Sequence, residues 1–407
     1  MQDAIGRRDF VKTVGIGAAA AATGAGGAGA LGGEKEVTMA TGNALDARAF
    51  GARGDGKADD TGAIQKALEA AAEVRGTVFF PAGTYVSSEL RVPAQVGLAG
   101  DPTWSYRDPP SQGATAPLRR AGGFGGAILK LADERAACLL NLTGAIGATV
   151  SGLCLDGDRI GERVHGILVD KPDYGRQEDT PRIERCRIAG FSGDGIRLER
   201  IWCFSVRHCM SGRNGGCGLR LRGWDGFILD NWFSGNREAG FGAYDENAST
   251  TVTGNRIEWN RQGGIVIHGG DHYNFGNNYV DRSGGPGISL LPRGDRVCYH
   301  ISVTGSCIWR SGKPEWQSGD GHQSAQVRFE RVHGLTFTGN TMMTGRDDNG
   351  RGERSPNFGI VYGRLENSII QGNVLHDGAL KELLVDLGGH GPGVIVRDNP
   401  GRLFVAP

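Results

Sequence analysis

The sequence predicts an all-β fold, a single-stranded parallel solenoid closed at one end by a short helix, and three observations carry that prediction. Glycine supplies 70 of the 407 residues, more than twice the usual ~7%. Because glycine adopts positive φ freely, such a density marks many short strands joined by tight turns. A Gly-apolar dipeptide then opens a short alternating run at Gly195-Ile196, Gly218-Leu219, Gly240-Phe241, Gly264-Ile265 and Gly287-Ile288, in steps of 23, 22, 24 and 23 residues. Nine residues before each of these glycines stands a second marker: Cys186, Cys209, Asn231, Asn255 and Asn278. Each repeat is too short for a βαβ unit, alternates at period two, and cannot bury an apolar face alone. Repeats of this kind stack into coils ~4.8 Å apart. An asparagine tolerates a left-handed turn, and stacked asparagines can form a ladder.

Taken in chain order, residues 1–40 read as an address followed by a linker. Arg7-Arg8-Asp9-Phe10-Val11-Lys12 precedes a mildly apolar Gly/Ala run from Val14 to Ala30. This segment resembles a bacterial twin-arginine export signal. The resemblance implies passage through the twin-arginine (Tat) translocase in a folded state, a periplasmic or secreted destination, and no stable membrane anchor. Residues 41–407 read as one β-helix domain, with a cap at about 47–75 and coils at about 76–400. Within the cap, Asp59-Asp60-Thr61 starts a short amphipathic helix carrying Ile64, Ala67 and Leu68. Such a helix covers the open end of a solenoid, where strand edges would otherwise be exposed. Weaker copies of the repeat occur at Leu153 with Gly166, Ser306, Asn340 with Gly359, and Asn373, with longer insertions near 156–165, 171–181, 311–325 and 343–357.

The composition excludes some partners. Forty-five basic and forty-five acidic residues cancel, which gives no support to nucleic-acid binding. The eight cysteines show no CxxC pair and no zinc-ligand spacing, and most read as small buried apolar residues. Nothing in the pattern signals association of copies, and homo-oligomerisation stays open.

The stretch Phe50-Gly51-Ala52-Arg53-Gly54-Asp55-Gly56-Lys57-Ala58-Asp59-Asp60-Thr61, with Gly76-Thr77-Val78-Phe79-Phe80-Pro81-Ala82-Gly83-Thr84-Tyr85 after it, resembles the opening of the pectate-lyase-like superfamily. That group of right-handed parallel β-helices includes rhamnogalacturonases, mannuronan epimerases and phage-type depolymerases. The specific match covers roughly residues 47–100, and the looser coil pattern about 150–400. The resemblance implies a polysaccharide or oligosaccharide ligand but does not choose a reaction, since lyases, epimerases, hydrolases and non-catalytic members share the fold.

Alternation assigns direction along the strand after each glycine. Positions one and three are apolar and point inward, so positions two and four point outward. The second-position row reads Leu168, Arg197, Arg220, Gly242, Val266, Ser289, and the fourth-position row Asp170, Glu199, Arg222, Tyr244, His268, Leu291. A later coil with Gln326 in the glycine slot puts Arg328 and Glu330 in the same rows. In the superfamily resembled here, this strand commonly lines the substrate groove. Arg197 and Arg220 are expected to be like-charged neighbours, a destabilising arrangement that Glu199 beside Arg222 offsets in part and a bound carboxylate or sulfate offsets further. Trp224, just past the strand, is placed to stack on a sugar face.

Three chemistries fit this stripe. A lyase or epimerase needs a proton abstracted next to a uronate carboxylate. Arg197, Arg220 or Arg222 would neutralise that carboxylate, and Tyr244 or His268 could act as base and acid. Asp170, Glu199 or Asp245 could instead hold a hard cation such as Ca2+ for the same purpose. A glycoside hydrolase would use two carboxylates, Asp170 with Glu199 or Asp245 with Glu199. A glycan-binding or structural β-helix needs neither. A Tyr-Asp pair like Tyr244-Asp245 also occurs in the active sites of mannuronan epimerases, although the surrounding motif of that family is absent here. The ordered polygalacturonase signature is missing, and Gly389-His390-Gly391 stands without upstream partners. The proton-abstraction chemistry on an anionic polymer is the leading expectation.

Overall fold

A computed structural model describes residues 44–104, 124–312, 321–344 and 355–405. The candidate export signal with Arg7 and Arg8, and parts of the insertions near 311–325 and 343–357, lie outside these residues. Among the described residues, two long parallel sheets of 22 and 13 strands wind around one apolar interior. Among the described residues, the only antiparallel strand pairing is between Pro102–Trp104 and Phe124–Leu131. No described helix is long and apolar enough to cross a membrane.

The repeat sets the register. Ile196 pairs with Leu219, Leu219 with Phe241, Phe241 with Ile265, and Ile265 with Ile288, so each Gly-apolar step is one coil. The chain then takes a longer excursion and Ile288 pairs with Val327, which puts Gln326 in the glycine slot. Positions one and three are core throughout: Ile196, Leu198, Leu219, Leu221, Phe241, Ala243, Ile265, Ile267, Ile288 and Leu290 are fully or almost fully buried. At the N-terminal end helix α1 (Thr61–Val74) lays Ile64, Ala67, Leu68 and Ala71 over the first coils. Asp60, just before it, turns its carboxylate away from the helix to accept from the Arg53 and Gly54 amides, at 2.7 and 3.0 Å.

The second marker forms a ladder inside one corner. Each asparagine Nδ2 donates to the Oδ1 of the next, Asn231 to Asn255 and Asn255 to Asn278 at 3.0 Å, then Asn340 to Asn373 at 3.0 Å and Asn373 to Asn399 at 2.9 Å. Ser306 bridges the two runs, accepting from the Asn278 amide and donating its own amide to Asn340. Cys186 and Cys209 head the row, and their thiols point at the Val150 and Ile183 carbonyls, as the amide of Asn231 points at that of Val206. Six of the eight cysteines are buried. A second ladder, Asn214 to Asn236 to Asn260, runs four residues before Gly218, Gly240 and Gly264. A further corner turns through residues with left-handed φ of 46° to 57° at Cys203, Asp225, Ser249, His272 and His300.

Candidate functional site

The outward rows assemble on one face, with the second-position row in unbroken register. Leu168, Arg197, Arg220, Gly242, Val266, Ser289 and Arg328 pair in succession. The fourth-position row begins regularly, Asp170 beside Glu199 and Glu199 beside Arg222, and then breaks. Between the pairs Leu221–Ala243 and Gly223–Asn247, the single residue Arg222 faces three: Tyr244, Asp245 and Glu246. Bulges of this kind re-aim side chains, and here the Tyr244 ring folds back along its own strand over Gly242. A Cβ on Gly242 would meet that ring at 2.7 Å, so a glycine in this outward slot is what lets the tyrosine lie down.

Lying there, Tyr244 sits at the centre of a polar cluster. Its hydroxyl is 3.7 Å from Cys217 Sγ, which is 3.5 Å from Glu238 Oε2. Arg220 donates to the same glutamate oxygen through Nη1 at 3.3 Å, and its guanidinium carbon lies 4.8 Å from the tyrosine ring centroid. The His268 ring meets Tyr244 edge-on with centroids 5.2 Å apart. Arg293 holds the bulge from outside, bonding the Tyr244 carbonyl and pairing with Asp245 at 2.6 Å. Asn247 ties the far end, donating to the His268 carbonyl at 3.1 Å and accepting from the Tyr273 hydroxyl at 2.8 Å.

Burial, reinforced by Cys217 and Glu238, pushes the Tyr244 hydroxyl far above its ordinary value despite Arg220, so it keeps its proton. Burial and the Arg293 charge hold His268 below its ordinary value, with Asp245 opposing them. At neutral pH the cluster therefore pairs a neutral imidazole with a protonated phenol. Burial, Asp194 and Glu238 also raise Cys217 well above a free thiol, which keeps it protonated.

A second knot lies one and two coils upstream. The Asp194 amide donates to His165 Nδ1 at 2.9 Å, and Asp194 Oδ1 accepts from the Cys217 amide at 2.7 Å. Arg197 reaches Asp194 at 3.3 Å and Glu199 at 2.8 Å. Burial brings His165 down to about 4, against the pull of Asp194.

Several expectations change once these partners are seen. The arginine row is compensated within the protein: Arg197 by Asp194 and Glu199, Arg220 by Glu238, and Arg222 by Glu246 at 2.8 Å. No anion is required between Arg197 and Arg220, and Glu199 serves Arg197 rather than Arg222. Arg220 alone among the three uses a single nitrogen, leaving Nε and Nη2 without a partner among the described residues. Trp224 stacks on Tyr174 of the 171–181 insertion, with centroids 4.0 Å apart, so one face is already covered. Arg328 and Glu330 pair at 2.5 Å and are buried, with Arg364 on the glutamate's other oxygen at 2.9 Å. Of the acids considered for Ca2+ or for hydrolysis, Asp170 is exposed beside Arg200 at 3.5 Å, and Glu199 and Asp245 are each held by an arginine. None of these three belongs to a cluster of metal-donor groups among the described residues.

Sequence reasoning missed His165, Asp194, Cys217 and Glu238. Three of them stand immediately before the marker glycines Gly166, Gly195 and Gly218, a row whose chemistry the same alignment could have exposed. Glu238, two residues before Gly240, carries no such signal.

Comparison with known proteins follows the same geometry. A profile for a right-handed β-helix region matches residues 165–308 and 213–400. The chain belongs to the right-handed β-helix family. The N-terminal coils, residues 44–130, match the family described as rhamnogalacturonase A/epimerase, pectate lyase-like. Mannuronan C5-epimerase AlgE3 of Azotobacter vinelandii is 28% identical over 265 residues, covering 60% of this chain and 12% of that protein. A capsule K30/K69-specific depolymerase of Klebsiella phage K5-2 is 26% identical over 223 residues, covering 53% of this chain and 26% of that protein. The matches thus span a minor part of these curated relatives. The A-module of mannuronan C-5 epimerase AlgE6 from A. vinelandii superposes with a TM-score of 0.65 at 17% identity, covering 88% of this chain and 99% of that one. Tailspike protein 2 of bacteriophage CBA120 superposes with a TM-score of 0.61 at 14% identity, over 81% of this chain and 47% of that one. At these identities the structural likeness is one of fold.

Proposed function

We propose that this β-helix modifies a uronate-containing polysaccharide by abstracting the proton at C5, next to the sugar carboxylate. The observation that carries the reading is the Tyr244–His268 pair beside Arg220, gathered by a bulge on the outward face. Neutral His268 takes the C5 proton, and the electron pair of the broken C–H bond moves into the carboxylate. The two unengaged nitrogens of Arg220 are placed to stabilise the doubly charged carboxylate that results. Tyr244, which keeps its proton, then delivers it. Delivery to the C4 oxygen breaks the glycosidic bond and leaves a C4–C5 double bond, the lyase outcome. Return of a proton to C5 from the other side inverts that centre, the epimerase outcome. The similarity to mannuronan epimerases and to a capsule depolymerase supports a polysaccharide substrate.

A hydrolase reading has less support, because Glu199 and Asp245 are both engaged by arginines and Asp170 lies exposed at the far end of the row. Export by the twin-arginine route, with Arg7 and Arg8 as its signal, belongs to the same proposal. Replacing both by lysine in a reporter fusion should stop export, and continued export would refute that part. The activity itself is tested on a panel of uronate polymers. New absorbance from unsaturated uronates, or altered C5 configuration without cleavage, supports the reading. New reducing ends with neither change would replace it by hydrolysis, and binding without turnover across the panel would leave a glycan-binding protein.

A further inference from the structure

We propose that Asp271, His272 and His300 form a divalent-metal site of the zinc type that ties two successive coils together at the corner that follows the His268 strand. The site uses none of the groups assigned to proton transfer and stands or falls separately from that reading. His272 and His300 occupy the same corner on neighbouring coils, since Asp271 pairs with Tyr299 and Tyr273 with Ile301. Both have left-handed backbones, φ 52° and 48°, which turn their side chains out of the coil in parallel. Their rings lie 4.7 Å apart and tilted by 33°. Both Nδ1 atoms face one carboxylate oxygen, Asp271 Oδ1, at 2.8 Å from His272 and 3.5 Å from His300.

That oxygen is the telling atom. It is shut off from solvent, yet among the described residues it accepts no hydrogen bond, so the short contact with His272 lacks hydrogen-bond alignment. Donor atoms from all three residues lie within 4.8 Å of one another. Three electron-pair donors that converge without a proton shared between them are arranged as ligands are around a cation. Tetrahedral zinc with bonds of ~2.0–2.1 Å holds its donors ~3.3 Å apart, so small side-chain rotations suffice. Two imidazoles and one carboxylate favour zinc, nickel or copper over magnesium or calcium, which want oxygen shells. Both histidines are exposed, which leaves the remaining positions open to water. The ion would link the strand Asp271–Gly276 to the strand Cys298–Thr304 of the next coil.

The test is calorimetric titration of the tag-free full chain with Zn2+, and with Mg2+ as the contrast. One saturable Zn2+ site per chain is expected, weakened at least about tenfold in His272→Gln, His300→Gln and Asp271→Asn, and unchanged in Cys217→Ser and in His333→Gln, whose histidine pairs with Tyr299 from the following coil. Since the histidines are exposed, the glutamine variants should keep the parent melting temperature in the absence of metal. Co2+ should give visible d–d bands without a sulfur charge-transfer band. Absence of saturable Zn2+ binding, binding indifferent to both glutamine variants, or loss in Cys217→Ser would each overturn the site.

Discussion

The asparagine corner and the Tyr244 corner belong to the same coils and follow opposite rules. In the first, one residue type recurs on coil after coil, and each side chain satisfies the next. In the second, the residues change with every coil, the register slips, and arginines, acids, a phenol and an imidazole crowd together. A solenoid is stable through what repeats, because nearest-neighbour contacts are its only long-range cohesion. What departs from the repeat is free to be chemistry. The two corners should therefore respond oppositely to mutation.

The sharpest contrast should come from Tyr244→Phe. Turnover on the responsive polymer should fall roughly 10²–10⁴-fold, with no change in the urea midpoint, since among the described residues the hydroxyl's one polar contact is the Cys217 thiol at 3.7 Å. Retained turnover would place the proton donor elsewhere. Asn255→Ala should do the reverse. It leaves the buried Asn231 backbone amide without its acceptor and removes one donor from the Ile228 carbonyl, at about 1–3 kcal/mol for the orphaned amide. Urea unfolding should report a loss of about 1–3 kcal/mol while the folded fraction keeps its turnover.

The outward face also carries a pH liability that the asparagine corner lacks. His165 sits at about 4 in the folded protein against 6.5 for a free side chain. Between those values the unfolded chain binds more protons, so stability should fall as pH drops from 6.5 towards 4. The loss attributable to this group is on the order of 3 kcal/mol. Denaturant titrations across that window should flatten in His165→Gln, and an unchanged slope would show that the burial is relieved by other means. The smallest effect is expected from Gly242→Ala. The added methyl meets the Tyr244 ring at 2.7 Å, and a ring lifted by a fraction of an ångström should cost roughly tenfold in turnover with little loss of stability, because the ring can swing outward.

The two corners were also unequally legible in the sequence. The spacing of Gly195, Gly218, Gly240, Gly264 and Gly287 placed the coils in the register the structure has, because a stacked strand must repeat its inward side chains. The same spacing named Arg220, Tyr244 and His268 as outward residues of successive coils. It could not show that Tyr244 turns back over Gly242, because the bulge arises from two extra residues in one coil and not from the pattern. Nor could it show which acid serves which arginine. Arg220 and Glu238 are eighteen residues apart, and Arg222 and Glu246 twenty-four, so those pairings depend on side-chain reach across coils. The second asparagine ladder was equally periodic, four residues before Gly218, Gly240 and Gly264, and would have yielded to the same alignment.

The central claim is that the C5 proton of a uronate is removed at the Tyr244 cluster. Incubating the protein with the responsive polymer in D2O and following the C5 position by NMR tests it directly. The account predicts loss of the C5–H signal, either to deuterium at C5 or to a C4–C5 double bond, and its persistence in His268→Gln, which lacks the base. Cleavage of the polymer with every C5–H intact would contradict it.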